Sequence, residues 1–149
     1  MADAPNRVWV GDVTYLKVAG VWRYLAVILD KHSRRVLAWT LRRRRDAELT
    51  LRTLHRAVRT RRPQSGLIFH SDRGIEYAAE PYREGLRQHG FIQSMNRPKR
   101  MNDNAHMESF FHTMKSELHK KLCVASDIQL RTVIATYVGY YNERRGHTS

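Results

Sequence analysis

The fold of this chain is decided by its first apolar stretch, VWVGDVTYLKV, which spans Val8 to Val18. β-Branched and aromatic residues dominate it, so the stretch is predicted to be a β-strand. Side chains alternate between the two faces of a strand, and both faces are largely apolar here. A strand that is apolar on both faces is predicted to lie in the centre of a sheet.

Asp12 is the acidic residue inside this predicted central strand. An ionised carboxylate among apolar side chains is costly unless a cation or a hydrogen-bond donor meets it. The stretch alone leaves two interpretations open. Asp12 is either a structural residue, satisfied by backbone amides or an arginine, or part of a functional site.

The rest of the chain combines short apolar strands with amphipathic helices. Further strands are predicted at Val21 to Asp30, Arg34 to Arg43, Gly66 to His70 and Phe91 to Met95. Helices are predicted at Asp46 to Arg62, Tyr77 to His89, Asn104 to Leu122 and Asp127 to Tyr141. In the first helix Asp46 is the expected N-cap, and Leu51, Leu54 and Val58 are the expected core stripe. The order β-β-β-α-β-α-β-α-α predicts one α/β domain with a mixed sheet over residues 1–149.

Positive charge is the strongest global feature of the sequence. The net charge is +13, and residues Lys31 to Arg62 hold twelve Lys or Arg against two acidic residues, a net +10. A charge so concentrated indicates a polyanionic partner, for which nucleic acid is the best fit; a solvated basic face is the alternative. The candidates for contacts to DNA phosphates are Arg42, Arg43, Arg44, Arg45, Arg52, Arg56, Arg59 and Lys115.

Membrane and secreted classes of protein do not fit the sequence. It has no run of about 18 apolar residues and opens without a signal peptide. The single Cys123 fits a reducing compartment. We therefore expect a cytoplasmic protein with no membrane partner.

Three carboxylates are candidates for one metal site. Asp72 follows the fourth strand, where open α/β sheets place ligands, and Glu108 lies in the first turns of the long helix. If the fourth strand pairs in parallel with the first, Asp12 and Asp72 point at one spot that Glu108 can reach. Three ionised carboxylates need a cation, and magnesium prefers such oxygen ligands. Two ions ~3.5–4 Å apart would support an in-line displacement at phosphorus.

These acids and their neighbours resemble a known family. With 35 residues between Asp72 and Glu108, the three acids resemble the Asp-Asp-35-Glu triad of the retroviral-integrase superfamily. Four ordered stretches resemble insertion-sequence transposases: VWVGDVTY (Val8 to Tyr15), HSDRG with Tyr77 (His70 to Gly74), DNAHMESFF (Asp103 to Phe111) and YNERRGH (Tyr141 to His147). The chain departs from the family pattern at Gly11, where Thr is usual, and at Glu76, where Gln is common. Residues Asn96 to Asn102 also lack the expected Arg-Arg-Gly-Asn-type turn.

The resemblance implies a ribonuclease-H-like fold, with five strands in the order 3-2-1-4-5. It implies a transposase catalytic core that cleaves DNA strands and transfers them with Mg²⁺ or Mn²⁺, two ions per active site when DNA is bound. Asp12 would bridge both ions, while Asp72 and Glu108 would each hold one. The implied partners are DNA, as element ends and target, and further copies of the chain at the bacterial nucleoid, with no small-molecule cofactor. The N-terminal region that recognises element ends is expected to be absent, as in an excised core or a remnant reading frame.

Other residues and functions keep alternative interpretations. His70 and Asn104 are candidate supporting residues, although a packed His70 and an Asn104 N-cap are equally good interpretations. His70, His106 and His112 match no standard zinc spacing. Trp9, Trp22 and Trp39 are expected to cover the core or the sheet rather than to act as base-stacking platforms. The alternative functions are a metal-dependent nuclease that does not join strands and an inactive DNA-binding or dimerisation remnant.

Overall fold

The computed structural model describes residues 4–95, 105–120 and 126–144. Its strands are β1 (Val8–Val18), β2 (Val21–Asp30), β3 (Val36–Arg42), β4 (Ile68–Ser71) and β5 (Ile92–Met95). Its helices are α1 (Ala47–Arg61), α2 (Ile75–Ala78), α3 (Glu80–Gln88), α4 (Ala105–Lys120) and α5 (Asp127–Arg144). The predicted loop at Asn96 to Asp103 and the predicted N-cap at Asn104 lie outside the described residues.

The five strands form one mixed sheet in the order β3-β2-β1-β4-β5. β1 pairs antiparallel with β2, and β2 pairs antiparallel with β3. β4 pairs in parallel with β1, and β5 pairs in parallel with β4. This confirms the predicted strand order of the ribonuclease-H-like fold and the central position of β1.

The two faces of β1 contribute to two separate cores, because alternate side chains point to opposite sides of the sheet. On one face Val10 and Leu16 pack with α4 and α5, where Phe110 and Ile134 are almost fully buried. On the other face Trp9, which is 0% exposed, joins side chains of α1 and α3. Each large apolar side chain buried in this way contributes about 1.5–3 kcal/mol, so both helix layers hold β1 in place.

Helix α1 begins where the sequence predicts, but its buried stripe is displaced. The Asp46 carboxylate accepts a hydrogen bond from the N–H of Leu49 at 3.1 Å, which confirms the N-cap. Of the three residues in the expected stripe, only Leu54 is fully buried. Leu51 and Val58 are partly buried and pack against the edge of the core. The residues buried in this helix are Leu49, Thr50, Thr53, Leu54 and Ala57.

The predicted helix from Tyr77 to His89 is wrong, because two short helices, α2 and α3, take its place. Pro81 has no N–H and cannot donate to the carbonyl of Tyr77, so a continuous helix would lose that bond. Gln93 Nε2 donates to the Tyr77 carbonyl instead, at 2.9 Å. Ala79, with ψ 144°, turns the chain between the two helices.

Strand β3 also starts later than predicted. Arg34 adopts a left-handed backbone conformation with φ 64°, and its N–H donates to the carbonyl of Asp30 at 2.6 Å. The chain therefore turns before Val36 rather than extending from Arg34. None of the helices in the three described ranges is long and apolar enough to cross a membrane.

Candidate functional site

Asp12 and Asp72 meet where β1 and β4 run side by side. The parallel register sets Val10 opposite His70, so two residues further on Asp12 lies beside Asp72, just beyond the end of β4. The two carboxyl groups are half-buried and lie close enough together for Asp72 to raise the pKa of Asp12. The structure thus brings two of the predicted acids together, and their catalytic role stays a prediction.

The electrostatics of this Asp12–Asp72 pair are unfavourable without a cation. Burial, and then the charge of Asp72, raise the pKa of Asp12 from 3.8 to about 7. The N–H of Val13 donates to Asp12 Oδ1 at 2.8 Å, which partly opposes that rise. The N–H of Gly74 donates to Asp72 Oδ1, also at 2.8 Å. Below a pH of about 7 the raised pKa favours a proton on Asp12, and a metal ion bound to the pair would replace that proton.

The donor atoms of the pair fit a hard divalent cation. Mg²⁺ prefers one or two carboxylates together with water and phosphate oxygens, and Asp12 and Asp72 supply adjacent carboxylates. In the part of the chain that the structure describes, no three His, Cys, Asp or Glu side chains are grouped closely enough to hold a metal ion. The pair is therefore the centre of the candidate site.

Glu108 lies in the first turn of α4 with an exposed side chain. It does not form a three-residue group with Asp12 and Asp72 in this structure. Its role as the third carboxylate stays a prediction, as does that of Asn104, which lies outside the described residues. The zinc alternative gains no support, because the described histidines are not grouped either. His70 instead hydrogen-bonds the hydroxyl of Ser94 on β5 at 2.8 Å, which favours its packed, structural interpretation.

A buried ion pair beside the acids was missed at the sequence level. Glu76 is only 2% exposed, and its carboxylate accepts hydrogen bonds from Arg45 Nε at 3.0 Å and Nη2 at 3.4 Å. The hydrogen bond to Glu76 is the main cause that raises the pKa of Arg45, and the charges of Glu76, Asp72 and Asp12 add to it. Arg45 therefore compensates three acids at once. The departure at Glu76 was a sequence signal that an unusual charge needed a partner, although nothing local identified Arg45 as that partner.

Comparison with known protein families identifies the fold that carries these acids. A family model described as "Integrase core domain" matches residues 2–101, and a second model of the same description matches residues 89–149. The chain belongs to the integrase core domain family. Both models together extend over all four stretches that resemble transposases.

Curated relatives of this integrase core come from bacterial insertion sequences. The chain is 40% identical over 146 residues to the "Insertion element IS600 uncharacterized 31 kDa protein" of Shigella sonnei, covering 97% of the chain and 54% of the relative. It is 38% identical to the "Transposase for insertion sequence element IS904" of Lactococcus lactis, covering 99% of the chain and 58% of the relative. It is 36% identical to "Transposase InsF for insertion sequence IS3A" of Escherichia coli, covering 99% and 51%. The chain spans about half the length of these relatives.

Solved structures with the same fold are retroviral integrases. The HTLV-2 integrase catalytic core domain in complex with magnesium, in its trimeric form, superposes with a TM-score of 0.75 at 20% identity, covering 93% of this chain and 86% of that one. Its dimeric form gives a TM-score of 0.73, covering 90% and 84%. These matches confirm the ribonuclease-H-like fold of the integrase core.

The departure from the family pattern at Gly11 has a packing explanation. A Cβ at this position would lie 2.5 Å from the ring of Phe69 and 3.1 Å from the hydroxyl of Tyr77. Both rings are almost fully buried under the integrase-core sheet. The space that a Thr side chain would need is therefore filled by these two aromatic residues.

The four consecutive arginines that begin at the last residue of β3 have different environments in this integrase core. Arg45 is held by Glu76, and Arg43 lies 3.8 Å from a carboxylate oxygen of Asp127. Arg42 is half-buried, while Arg44 is exposed. Arg44 is therefore an exposed member of the run, and its contact with DNA phosphates stays a prediction.

The arginines of α1 form an exposed basic face. Arg52 pairs with Glu48, and Arg56 donates to the carbonyl of Trp39 at 2.7 Å. Burial lowers the pKa of Arg56, and repulsion by Arg131, Arg52 and Arg59 lowers it further. Such mutual repulsion would be relieved by an anion, so this face remains a candidate for phosphate contacts.

Lys115 and the tryptophans complete the predicted set. Lys115, on α4, lies with its Nζ 5.1 Å from the ring centre of Tyr15 on β1. Trp9 is buried and Trp39 packs at the edge of a core, as expected. Trp22 does not lie in a core, because its side chain is 46% exposed at the start of β2, where it packs against Tyr15 and Lys17 of β1.

Proposed function

We propose that this chain is the catalytic core of an insertion-sequence transposase, which cleaves DNA strands and transfers them with divalent metal ions. The contact between Asp12 and Asp72 carries this proposal. This chain belongs to the integrase core domain family, and the two acids lie beside the carboxyl end of the parallel strand β4. Open α/β sheets bind their ligands at such strand ends, which supports the proposal. The transposase names of two bacterial relatives support DNA as the substrate.

Asp12, Asp72 and Glu108 are the residues proposed to hold Mg²⁺ or Mn²⁺, with two ions bound when DNA is present. The HTLV-2 integrase core, which shares this fold and was solved in complex with magnesium, supports this choice of ion. Such ions supply Lewis-acid stabilisation of the phosphate and lower the pKa of an attacking hydroxyl. Arg45 would keep the acids in place by balancing part of their charge.

The reaction needs no nucleophile from the protein. A water molecule, or a DNA 3′-hydroxyl in strand transfer, attacks the phosphorus; the bond to the leaving oxygen breaks, and that oxygen takes up a proton. The acids position the reacting phosphate in this scheme, and the basic side chains at Arg44, Arg59 and Lys115 contact the neighbouring phosphates. We also propose that the active form is a homo-oligomer and that it acts at the bacterial nucleoid.

Nicking and joining assays on duplex DNA in Mg²⁺ or Mn²⁺ test this function. We expect Asp12→Asn, Asp72→Asn and Glu108→Gln each to abolish metal-dependent cleavage and leave DNA binding equal or slightly stronger. The matched control is Glu84→Gln, an exposed acid on α3 that pairs with Arg87 and should cleave like the parent.

The same assays separate the alternatives. Nicking without any joined product would favour a nuclease of the same fold. Triad variants that cleave at the parent rate would contradict the proposed site. The parent could also be inactive, with a melting temperature that metal does not change in the parent or in the triad variants. That result would favour a DNA-binding or dimerisation remnant.

A further inference from the structure

Two aromatic side chains are exposed at the β1–β2 hairpin. Tyr15 on β1 is 52% exposed and Trp22 on β2 is 46% exposed. Their ring centroids are 5.1 Å apart with an interplanar angle of 81°. Burying either ring in the core would have gained free energy, so open aromatic surface at this position requires an explanation.

Two lysines adjoin these rings. Lys17 Nζ lies 4.7 Å from the ring centroid of Trp22, and Lys115 Nζ lies 5.1 Å from that of Tyr15. About half of each aromatic side chain is exposed beside these lysines and remains open to a ligand. We call Tyr15, Lys17, Trp22 and Lys115 the hairpin patch. It combines flat apolar surfaces with positive charge.

The hairpin patch lies close to the acid pair. Tyr15 is three residues from Asp12 along β1, which is about 10 Å at 3.3 Å per residue, so the two side chains leave opposite faces of the strand. Lys115 belongs to α4, which packs on the face of Asp12, and it nevertheless reaches the ring of Tyr15, so the patch is in contact with that face. A DNA strand in a duplex advances 3.4 Å per nucleotide, so the separation of Tyr15 and Asp12 along β1 corresponds to about three nucleotides. Within the described strands β4 pairs with β1 only along Val8 to Val10, which leaves that edge of β1 beside Tyr15 without a strand partner.

We propose that the hairpin patch binds unpaired bases of a DNA strand a few nucleotides from the phosphate that is cut. Proteins bind single strands by stacking bases on aromatic rings and by contacting phosphates with cations, and this patch offers both. A paired base in a duplex hides its faces in the stack, so the rings select frayed or single-stranded DNA. An apolar protein segment would leave Lys17 and Lys115 without anions, which makes it the poorer occupant. This inference rests on the proposed function, because it takes DNA as the substrate.

Binding of the whole chain to three fluorescent probes tests the proposal: a short oligothymidine strand, a blunt duplex, and the same duplex with unpaired nucleotides at one end. We expect Tyr15→Ala and Trp22→Ala each to weaken binding of the oligothymidine and the frayed duplex about tenfold, which is ~1.4 kcal/mol. Binding of the blunt duplex should change less than about twofold, because its bases stay stacked. Tyr15→Phe and Trp22→Phe keep a ring and should bind like the parent.

The matched control is Tyr140→Ala on α5. Tyr140 is 56% exposed and Arg144 lies over its ring at 5.7 Å, so it is also an exposed aromatic residue beside a cation. We expect this variant to bind all three probes like the parent. Thermal melting of each variant checks that loss of binding is not loss of folding. Oligothymidine should also quench tryptophan fluorescence in the parent and in Tyr15→Phe, and most of this quenching should be lost in Trp22→Phe, which keeps only Trp9 and Trp39.

The possible outcomes distinguish the patch from the function. Unchanged oligothymidine binding in both alanine variants, with the parent still binding duplex, would overturn the patch and leave the DNA function standing. Equal losses on blunt and frayed duplexes would also overturn it, because the rings would then not select unpaired bases. A shift to a smaller oligomer with unchanged oligothymidine binding would identify the patch as a protein interface instead. A parent that binds none of the probes would overturn the proposed function together with the patch.

Discussion

The carboxyl group of Asp72 lies close enough to that of Asp12 to raise its pKa, although the two residues are sixty positions apart in the sequence. The parallel pairing of β4 with β1 creates this contact, because it sets His70 opposite Val10 and leaves the two acids side by side. Two acids in contact repel each other when both are ionised. The fold is therefore less stable at this position than it would be with a cation bound there.

The acid pair predicts a particular dependence of stability on pH in the absence of metal. The pKa of Asp12 is raised from 3.8 to about 7 in the folded state, so between these values the folded protein keeps a proton that the unfolded chain releases. The free energy of unfolding should therefore fall as the pH rises from about 4 to 7 and then level off with respect to this group. Asp12→Asn should remove that contribution and melt at a higher temperature than the parent at pH 8. Melting curves of both proteins, recorded in a chelator at several pH values, measure this contribution of Asp12 to stability.

Glu84→Gln is the control for this pH dependence, since Glu84 is an exposed acid outside the pair. Its melting temperature should follow that of the parent at every pH. If the melting temperature of Asp12→Asn depended on pH between 4 and 8 in the same way as that of the parent, the two acids would not interact as described.

The Arg45–Glu76 ion pair predicts an asymmetric effect of substitution. Arg45→Ala leaves a carboxylate that is only 2% exposed without its counter-ion, so we expect a loss of about 3–5 kcal/mol. Glu76→Gln keeps a hydrogen-bond acceptor for the partly exposed Arg45 and should cost less, about 1–2 kcal/mol. Denaturant unfolding measures both values.

The exposed Arg52–Glu48 pair on α1 is the matched control. Glu48→Gln should cost no more than about 0.5 kcal/mol, as expected for a surface pair four residues apart in a helix. Equal costs for Arg45→Ala and Glu48→Gln would mean that the buried pair does not compensate the acids.

The glycines offer a test of the packing behind β1. Gly11→Ala places a Cβ 2.5 Å from the ring of Phe69, so we expect a loss of about 1–3 kcal/mol. Gly139→Ala is the control, because its Cβ would meet no atom of the described chain within 4 Å. That variant lies on the exposed side of α5 and should gain about 0.5–1 kcal/mol from helix propensity. Gly11→Ala with unchanged stability would show that Phe69 and Tyr77 can move aside.

The basic side chains predict different salt dependences of DNA binding. Each lost phosphate contact should flatten the slope of log K against log [salt] by about 0.9 on duplex DNA. We expect this change for Arg44→Ala and Arg59→Ala, whose side chains are exposed. Arg87→Ala is the control, because Arg87 is paired with Glu80 and Glu84 on α3. Slopes unchanged in Arg44→Ala and Arg59→Ala would show a merely solvated basic face.

The sequence predicted the sheet because its strands carry strong local signals. The limits of β1 and β2 agree with the structure at both ends, since β-branched residues fill both strands and the Ala19-Gly20 turn separates them. The contact between Asp12 and Asp72 followed from the parallel pairing of two strands, which the motif order implied. The N-cap at Asp46 was predictable because its side chain acts on residues three positions away.

Long-range contacts account for what the sequence did not predict. The Arg45–Glu76 pair joins residues 31 positions apart, and no local pattern reveals which arginine of a run finds a buried acid. Pro81 divides the predicted helix because it cannot donate a hydrogen bond to the carbonyl of Tyr77. Gln93 of β5 donates to that carbonyl instead, and this contact is not visible in the local sequence. The exposure of Trp22 depends on how neighbouring elements cover this end of the sheet, which the alternation within β2 does not show.

A crystal structure grown with Mn²⁺, with the ion located by its anomalous signal, tests the central claim most directly. We predict an anomalous peak directly bonded to carboxylate oxygens of both Asp12 and Asp72, with Glu108 turned toward the same ion or toward a second one beside it. The peak should disappear in Asp72→Asn crystals and persist in Glu84→Gln crystals. Saturating Mn²⁺ with no peak at the Asp12–Asp72 pair would contradict the account.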